Sequence, residues 1–382
     1  MKLSRKTFFK GLALGTLSLP FVLKSLYHKG YAQGNTSDQS PNIITAKQYR
    51  WKMVTTWPPN FPVIGETCSL FAQLVEQMSA QRIQIRVYGG GELVPPLEAF
   101  DTVRTGGAEI GSGGAYYWAG KAPAAQFFAS VPFGMTAQQV NAWIYSGGGL
   151  QLWEELYSDF NLVPMLGGNT GVQMGGWYNR EINTIADFKG LKMRIPGLGG
   201  KVLEKAGGAP ILLAGSEIYT GLERGIIDAA EWLGPFHDTL MGFHEIAKYY
   251  YFPGWHEPGT ALEFFINKKL YDSLPGDLQT ILKAAAAQAN TWCLSEMETR
   301  NSESLTQLVE KGVELRQFSD EIMQQLRTYT QESIAEITNG DAFSKKVYAS
   351  YEAFRKKIAN YSIVSEKAFY NKIQPKDALR IG

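Results

Sequence analysis

The chain has 382 residues, 45% of them hydrophobic and 19% charged, more than one hydrophobic core usually serves, so two lobes are expected. With 37 basic and 36 acidic residues the net charge is +1, and nothing in that balance fits nucleic acid or an anionic membrane surface as a partner. Forty glycines and nine tryptophans point to many tight turns and to a cleft or interface lined with aromatics.

Residues 1–32 read as an export signal. Lys2, Arg5, Lys6 and Lys10 form a basic start, residues 11–23 an apolar stretch too brief to span a bilayer, and Gly30-Tyr31-Ala32 a small-residue cleavage site. Ser4-Arg5-Lys6-Thr7-Phe8-Phe9-Lys10 resembles the twin-arginine export motif, with Lys6 where the second arginine normally stands. An uncleaved anchor is the competing reading. A polar linker covers residues 33–48, and no later stretch is long and apolar enough to cross a membrane.

The mature region opens with an alternating run at 51–57, the pattern of a strand, stopped by the rigid turn Pro58-Pro59-Asn60-Phe61-Pro62. Leu70, Phe71, Leu74, Val75 and Met78 then recur at helical spacing. A strand at 83–88, a short helix at 96–105 and a strand at 108–112 follow. This order predicts parallel pairing through helical crossovers. The third strand runs into Tyr116-Tyr117-Trp118, at the end where open α/β sheets place ligands. These aromatics, like Trp57 at the end of the first strand, either cap a core or line a cleft.

Residues 127–133 read as a further buried strand, and 137–157 as helix interrupted by Gly147-Gly148-Gly149. Strands are expected at 161–165 and 171–178, separated by Gly167-Gly168, with Gln173 pointing opposite to its apolar neighbours. Residues 187–232 repeat the strand–helix order. A strand at 191–195 carries Arg194, Pro196-Gly197 breaks it, and a helix at 201–206 and a strand at 211–214 follow. An amphipathic segment at 217–224 then leads to a closing strand at 226–232 that ends on Glu231-Trp232. Strands at 246–252 and 261–266 flank Trp255-His256-Glu257-Pro258-Gly259, the second returning the chain to the first lobe. From Pro275 the pattern is helical, at 278–300, 302–311, 319–336 and 343–363.

Arg194 is the sharpest candidate for ligand chemistry. Its guanidinium is a rigid, permanently charged fork that matches a carboxylate with two hydrogen bonds; a salt bridge to a nearby Asp or Glu is the alternative. Glu231-Trp232, Gln173 and Glu257 offer carboxylate, amide and carbonyl oxygens, which suit a hard cation such as sodium, calcium or magnesium. Enzyme signatures are scarce: there is no G-x-S-x-G, no H-E-x-x-H, no phosphate-binding loop and no Cys-x-x-Cys. Gly197-Leu198-Gly199-Gly200 lacks the dinucleotide spacing. The histidines are His28, His237, His244 and His256, and the pair at 237 and 244 is too widely spaced for a one-turn metal pair. Cys68 and Cys293 read as two buried thiols rather than a disulfide.

Two runs carry a family likeness: Asp187-Phe188-Lys189-Gly190-Leu191-Lys192-Met193-Arg194-Ile195-Pro196 and Glu217-Ile218-Tyr219-Thr220-Gly221-Leu222-Glu223-Arg224-Gly225-Ile226-Ile227-Asp228-Ala229. Through them the chain resembles the periplasmic solute-binding subunits of tripartite ATP-independent periplasmic (TRAP) transporters, over nearly all of the mature region. The likeness is strongest to the branch that binds 2-oxo acids or lactate.

The resemblance implies an α/β, two-lobed periplasmic binding protein fold with crossing strands and a long C-terminal helical extension. Lobe 1 would take residues 49–168 with part of 215–255. Lobe 2 and the crossover segments would take 169–214 and 256–318, and the C-terminal helices 319–382, a possible dimerisation element. It implies that Arg194 pairs with the ligand carboxylate, while Gln173, Glu231 and the backbone carbonyl of Trp232 hold a sodium or calcium ion. Tyr116, Tyr117, Trp57 and Glu257 would complete the ligand site. Partners would be a small carboxylate such as pyruvate or lactate, the TRAP membrane permease and a second copy of the chain, in the periplasm. A sugar acid or dicarboxylate as ligand, or a secreted enzyme acting on an organic acid, are the alternatives.

Overall fold

The structure is a computed structural model and describes residues 47–373. The export segment, nearly all of the linker and residues 374–382 lie outside the described residues, and among those described no helix is long and apolar enough to cross a membrane.

The chain begins with β1 (Tyr49–Thr55), α1 (Ile64–Met78) and β2 (Ile83–Tyr88). Phe71, Ala72 and Val75 share the buried face of α1, and the Glu66 carboxylate accepts the Val63 amide to cap its start. α2 (Ala99–Arg104) and β3 (Ile110–Gly113) follow, then a 3-10 turn at Ala115–Trp118. Next come the short α3 (Gln126–Ala129), then α4 (Ala137–Ser146) and α5 (Gly149–Ser158), split at the glycines. β4 (Leu162–Asn169) is buried along its whole length and leads, through a loop, to β5 (Gly176–Tyr178).

The second half holds β6 (Lys192–Arg194), α6 (Gly197–Lys205), β7 (Ala209–Ile211), α7 (Gly215–Glu223) and β8 (Ala229–Ala230). α8 (Pro235–Leu240), α9 (Phe243–Ile246), β9 (Tyr249–Phe252) and β10 (Ala261–Asn267) complete it. The helical part comprises α10 (Lys268–Asp272), α11 (Gly276–Glu310), α12 (Asp320–Gly340), α13 (Ala342–Val364) and α14 (Glu366–Ile373), with β11 (Glu314–Gln317) after α11.

These strands make two mixed sheets, one per lobe, ordered β2-β1-β3-β10-β4 and β11-β9-β5-β8-β6-β7. β1 pairs in parallel with β2 and β3, as helical crossovers require, whereas β10 is antiparallel to both β3 and β4. β4 leaves the first sheet and β10 re-enters it beside β4, so two adjacent strands carry the chain between lobes. α11, 35 residues and about 50 Å long, packs on β4, α1 and α8 and so braces both halves. α12 packs on α6, and α13 on α5.

Several sequence expectations are corrected. Residues 127–133 hold no strand: Phe127 and Phe128 lie on α3, with the Phe128 ring stacked on Trp143 and Trp153. A short run buried on every side has no period to separate strand from helix. Gly167 and Gly168 do not separate two strands but continue β4, because an added Cβ at Gly167 would stand 2.6 Å from the Phe264 ring of β10. Only 176–178 of the expected 171–178 strand is paired, and the helices expected at 278–300 and 302–311 are one. The strands within 215–255, β8 and β9, belong to the second sheet. Cys68 and Cys293 are both buried free thiols.

Candidate carboxylate and cation site

β6 and β8 run in parallel, with Arg194 opposite Ala230, so Arg194 and Glu231 leave the second sheet at the same edge. Both side chains are 1% exposed and form an ion pair through Arg194 Nη1 and Glu231 Oε1. The same Nη1 donates to the Glu231 carbonyl at 3.0 Å, Nε to the Leu213 carbonyl at 3.4 Å, and Nη2 to the Tyr117 hydroxyl at 3.3 Å. The guanidinium also lies 4.9 Å from the Trp232 ring centre. Burial works against the charge, but Glu231 above all, then the Tyr117 and Tyr116 phenols, hold the guanidinium above its ordinary value.

Gln173 arrives from the loop between β4 and β5, and Glu257 from the turn before β10. They are stitched together twice: Gln173 N–H donates to the Glu257 carbonyl at 3.1 Å, and Gln173 Nε2 to Glu257 Oε2 at 2.7 Å. Gln173 Nε2 also reaches Thr170 Oγ1 at 3.2 Å, and Thr260 Oγ1 donates to Glu257 Oε2 at 2.5 Å. This leaves Gln173 Oε1 buried without a partner. Burial, and then the neighbouring Glu231 charge, push the Glu257 carboxyl well above its ordinary value.

Glu231, His256 and Glu257 present one ligand atom each within 4.8 Å of one another. His256 Nε2 is 3.3 Å from Glu231 Oε2, and its Nδ1 has no partner. Together with the orphaned Gln173 oxygen, this is a compact, buried, oxygen-rich donor set that fits a small hard cation. His256, Thr260 and Thr170 were not anticipated. The signal for His256 was its place beside Glu257 in a turn closed by Pro258 and Gly259.

The first lobe contributes Tyr116 and Tyr117, whose rings meet edge to face at 4.7 Å. Burial above all holds the Tyr116 phenol neutral, well above its ordinary value. Tyr116 rests on the start of α6, where Gly197 has φ +56° and an added Cβ would come within 2.9 Å of it. Glycine there lets the lobes meet. Trp57 is not brought into this group by any described bond or ring contact; it packs in the first core, donating its indole N–H to Ser112 Oγ at 3.2 Å.

Residues 53–341 match bacterial extracellular solute-binding protein, family 7. The chain is 42% identical over 340 residues to a monocarboxylate 2-oxoacid-binding periplasmic protein of Nostoc sp., covering 89% of this chain and 92% of that one. A TRAP periplasmic solute-binding protein of Pseudoalteromonas atlantica, with bound sodium and pyruvate, superposes with a TM-score of 0.84 at 42% identity, over 86% of this chain and all of that one. A TRAP solute-binding protein of Bordetella bronchiseptica superposes with a TM-score of 0.84 at 37% identity, over 85% of this chain and 97% of that one. It is a mixed-occupancy dimer with copurified calcium and picolinate in one site and the other apo. With its two lobes, helical tail and buried Arg–Glu site, the chain belongs to family 7 of the bacterial extracellular solute-binding proteins, the solute-binding subunits of TRAP transporters.

Proposed function

We propose that the chain captures a small monocarboxylate, a 2-oxo acid such as pyruvate, or lactate, together with a sodium or calcium ion, and delivers it to a TRAP membrane permease. The observation that carries this reading is the fully buried Arg194–Glu231 pair. The two charges already cancel, so an acid entering alone would leave a dry site with an uncompensated negative charge. A cation held by Glu231, Gln173 and the Trp232 carbonyl would restore the balance against the ligand carboxylate. Arg194 then orients the acid, Tyr117 holds the guanidinium from the opposite lobe, and Tyr116 on Gly197 keeps water out, which strengthens every charge interaction inside. Arg194 is the one buried arginine or lysine among the described residues, which favours one carboxylate over a dicarboxylate. The reading is of capture without turnover, and the relatives with sodium and pyruvate or calcium and picolinate support it.

Calorimetry with pyruvate tests it. Arg194→Lys removes the fork from a buried pair, so affinity should fall about 100-fold or more, about 3 kcal/mol. Stripping sodium and calcium should weaken the wild type as well. Wild-type affinity in the variant for every small acid tried, or indifference to both cations, would sink the corresponding half of the reading.

We also infer a homodimer through the end of the helical tail. Tyr361, Ile363 and Val364 on α13, and Phe369 and Tyr370 on α14, are all exposed, and the Bordetella relative is a dimer. Export by the twin-arginine route stays a proposal from residues 1–32.

A further inference from the structure

Asp238 is a buried carboxylate that the ligand reading leaves unused. It is 1% exposed, sits in α8, and has no cationic partner among the described residues. Three neutral donors hold it instead. Trp177 Nε1 and the Tyr250 hydroxyl reach Oδ2 at 3.0 and 2.7 Å, and the Leu233 amide faces Oδ1 at 3.4 Å. Trp177 and Tyr250 stack at 4.0 Å, and Trp177 pairs across β5 and β8 with Ala230, the residue before Glu231. Asp238 is therefore bolted to the sheet beside the strand end that carries Glu231 and Trp232. Burial drives its carboxyl up to about 7, and the Tyr250, Trp177 and Leu233 bonds pull the other way, so keeping a charge here costs stability.

The Leu233 N–H belongs to the same peptide plane as the Trp232 carbonyl. In a trans peptide these two groups point in opposite directions. A carboxylate facing the N–H thus aims the carbonyl away from α8 and opposes a flip of the plane. At 3.4 Å the contact is long for a hydrogen bond, so its orienting effect is greatest in the ionised form, which a carboxyl near 7 takes up above neutral pH. A negative charge at the N–H end also polarises the amide and makes its oxygen a stronger donor to a cation.

We infer that Asp238 is a positioning residue for the cation site, fixing and polarising the Trp232–Leu233 peptide so that the Trp232 carbonyl serves as a ligand. This rests on the reading of Trp232 as a cation ligand. The test follows pyruvate binding by calorimetry against free calcium, using cation-stripped wild type and Asp238→Asn. The calcium needed for half-effect should rise about 10- to 100-fold in the variant, while pyruvate affinity at saturating calcium returns to the wild-type value. An unchanged calcium requirement overturns the inference, as does a loss of pyruvate affinity that saturating calcium does not restore, the sign of a merely structural role. A wild type indifferent to cations removes the cation site, and this inference with it. Should Asp238→Asn fail to fold, the wild type still decides. Trp232-Leu233 is the one Trp-Leu step in the sequence, so carbonyl carbon-13 tryptophan with nitrogen-15 leucine isolates a single peptide resonance. That resonance should show a downfield amide proton and shift when calcium is added with pyruvate; a resonance that stays put while pyruvate affinity rises overturns the inference.

Discussion

On the proposed reading of the site, Glu257 would set how much positive charge it can accept. Its carboxyl is held well above the ordinary range by burial and then by Glu231, so in the empty site it favours the neutral form, accepting from Gln173 and Thr260. A sodium ion brought in with a monocarboxylate balances charge without Glu257. A calcium ion brings one charge more, and an ionised Glu257 is the group placed to offset it. Glu257→Gln copies the neutral form in shape. Pyruvate affinity supported by sodium should therefore change little, whereas affinity supported by calcium should fall about 10-fold or more; calorimetry in each salt checks it, and equal losses in both would refute the argument. Arg194 stood out in the sequence as a lone cation at a strand end, whereas Glu231, Gln173 and Glu257 were grouped by residue type and joined to it only through the family resemblance; the fold brings these four side chains together. His256, Thr260 and Asp238 were not legible in the sequence, since their roles come from side chains that only the folded chain brings near. Trp57 follows a strand end as Tyr116 and Tyr117 do, and its described contacts are the bond to Ser112 and packing in the α1 core.

At the scale of the element, β10 carries a buried acid of another kind. Glu263 stands where the β10–β4 register shifts, accepting Trp118 Nε1 and the Tyr157 hydroxyl, each at 2.7 Å. Burial drives its carboxyl up to about 8, and the two bonds pull the other way. Because the folded value lies above the unfolded one, the stability this group contributes is complete below the unfolded value. It is lost as pH rises through the folded value, a loss on the order of a few kcal/mol. Glu263→Gln stays neutral throughout. Melting curves should therefore find wild type and variant closest at about pH 5 and the variant ahead at about pH 9; curves that run parallel over this range would refute it. β10 itself was legible as a short apolar strand run that leads back to the first lobe. What stayed hidden was the partner. Gly167 and Gly168 read as a break, because close approach of a Phe264 ring and a strand-ending turn both call for glycine. The continuity of α11, expected as two helices at 278–300 and 302–311, was missed for a related reason: it turns one face to β4 and α1 and another to α8, so no single apolar stripe runs its length.

For the whole molecule, the helical tail has two parts that separate along its length. Val347 and Tyr351 of α13 are buried in the first-lobe core, and the Tyr351 hydroxyl accepts the Met135 amide at 2.8 Å. Beyond them the same helix leaves the core. Tyr361 is 70% and Val364 73% exposed, and α14 adds Phe369 and Tyr370 with no core beneath them. Large apolar side chains clustered at one end of a chain ask for cover, and a twofold contact between two copies would supply it from the same patch on each. Burying one such side chain is worth about 2 kcal/mol, so placing charges at two of them should break the contact while leaving the core of α13 intact. Val364→Asp with Phe369→Asp is the variant to make. Sedimentation should find the wild type dimeric and the variant monomeric, with unchanged pyruvate affinity, because each site is assembled from one chain's two lobes. A monomeric wild type would end the dimer proposal, and a monomeric variant that no longer binds pyruvate would mean that pairing supports the closed lobes.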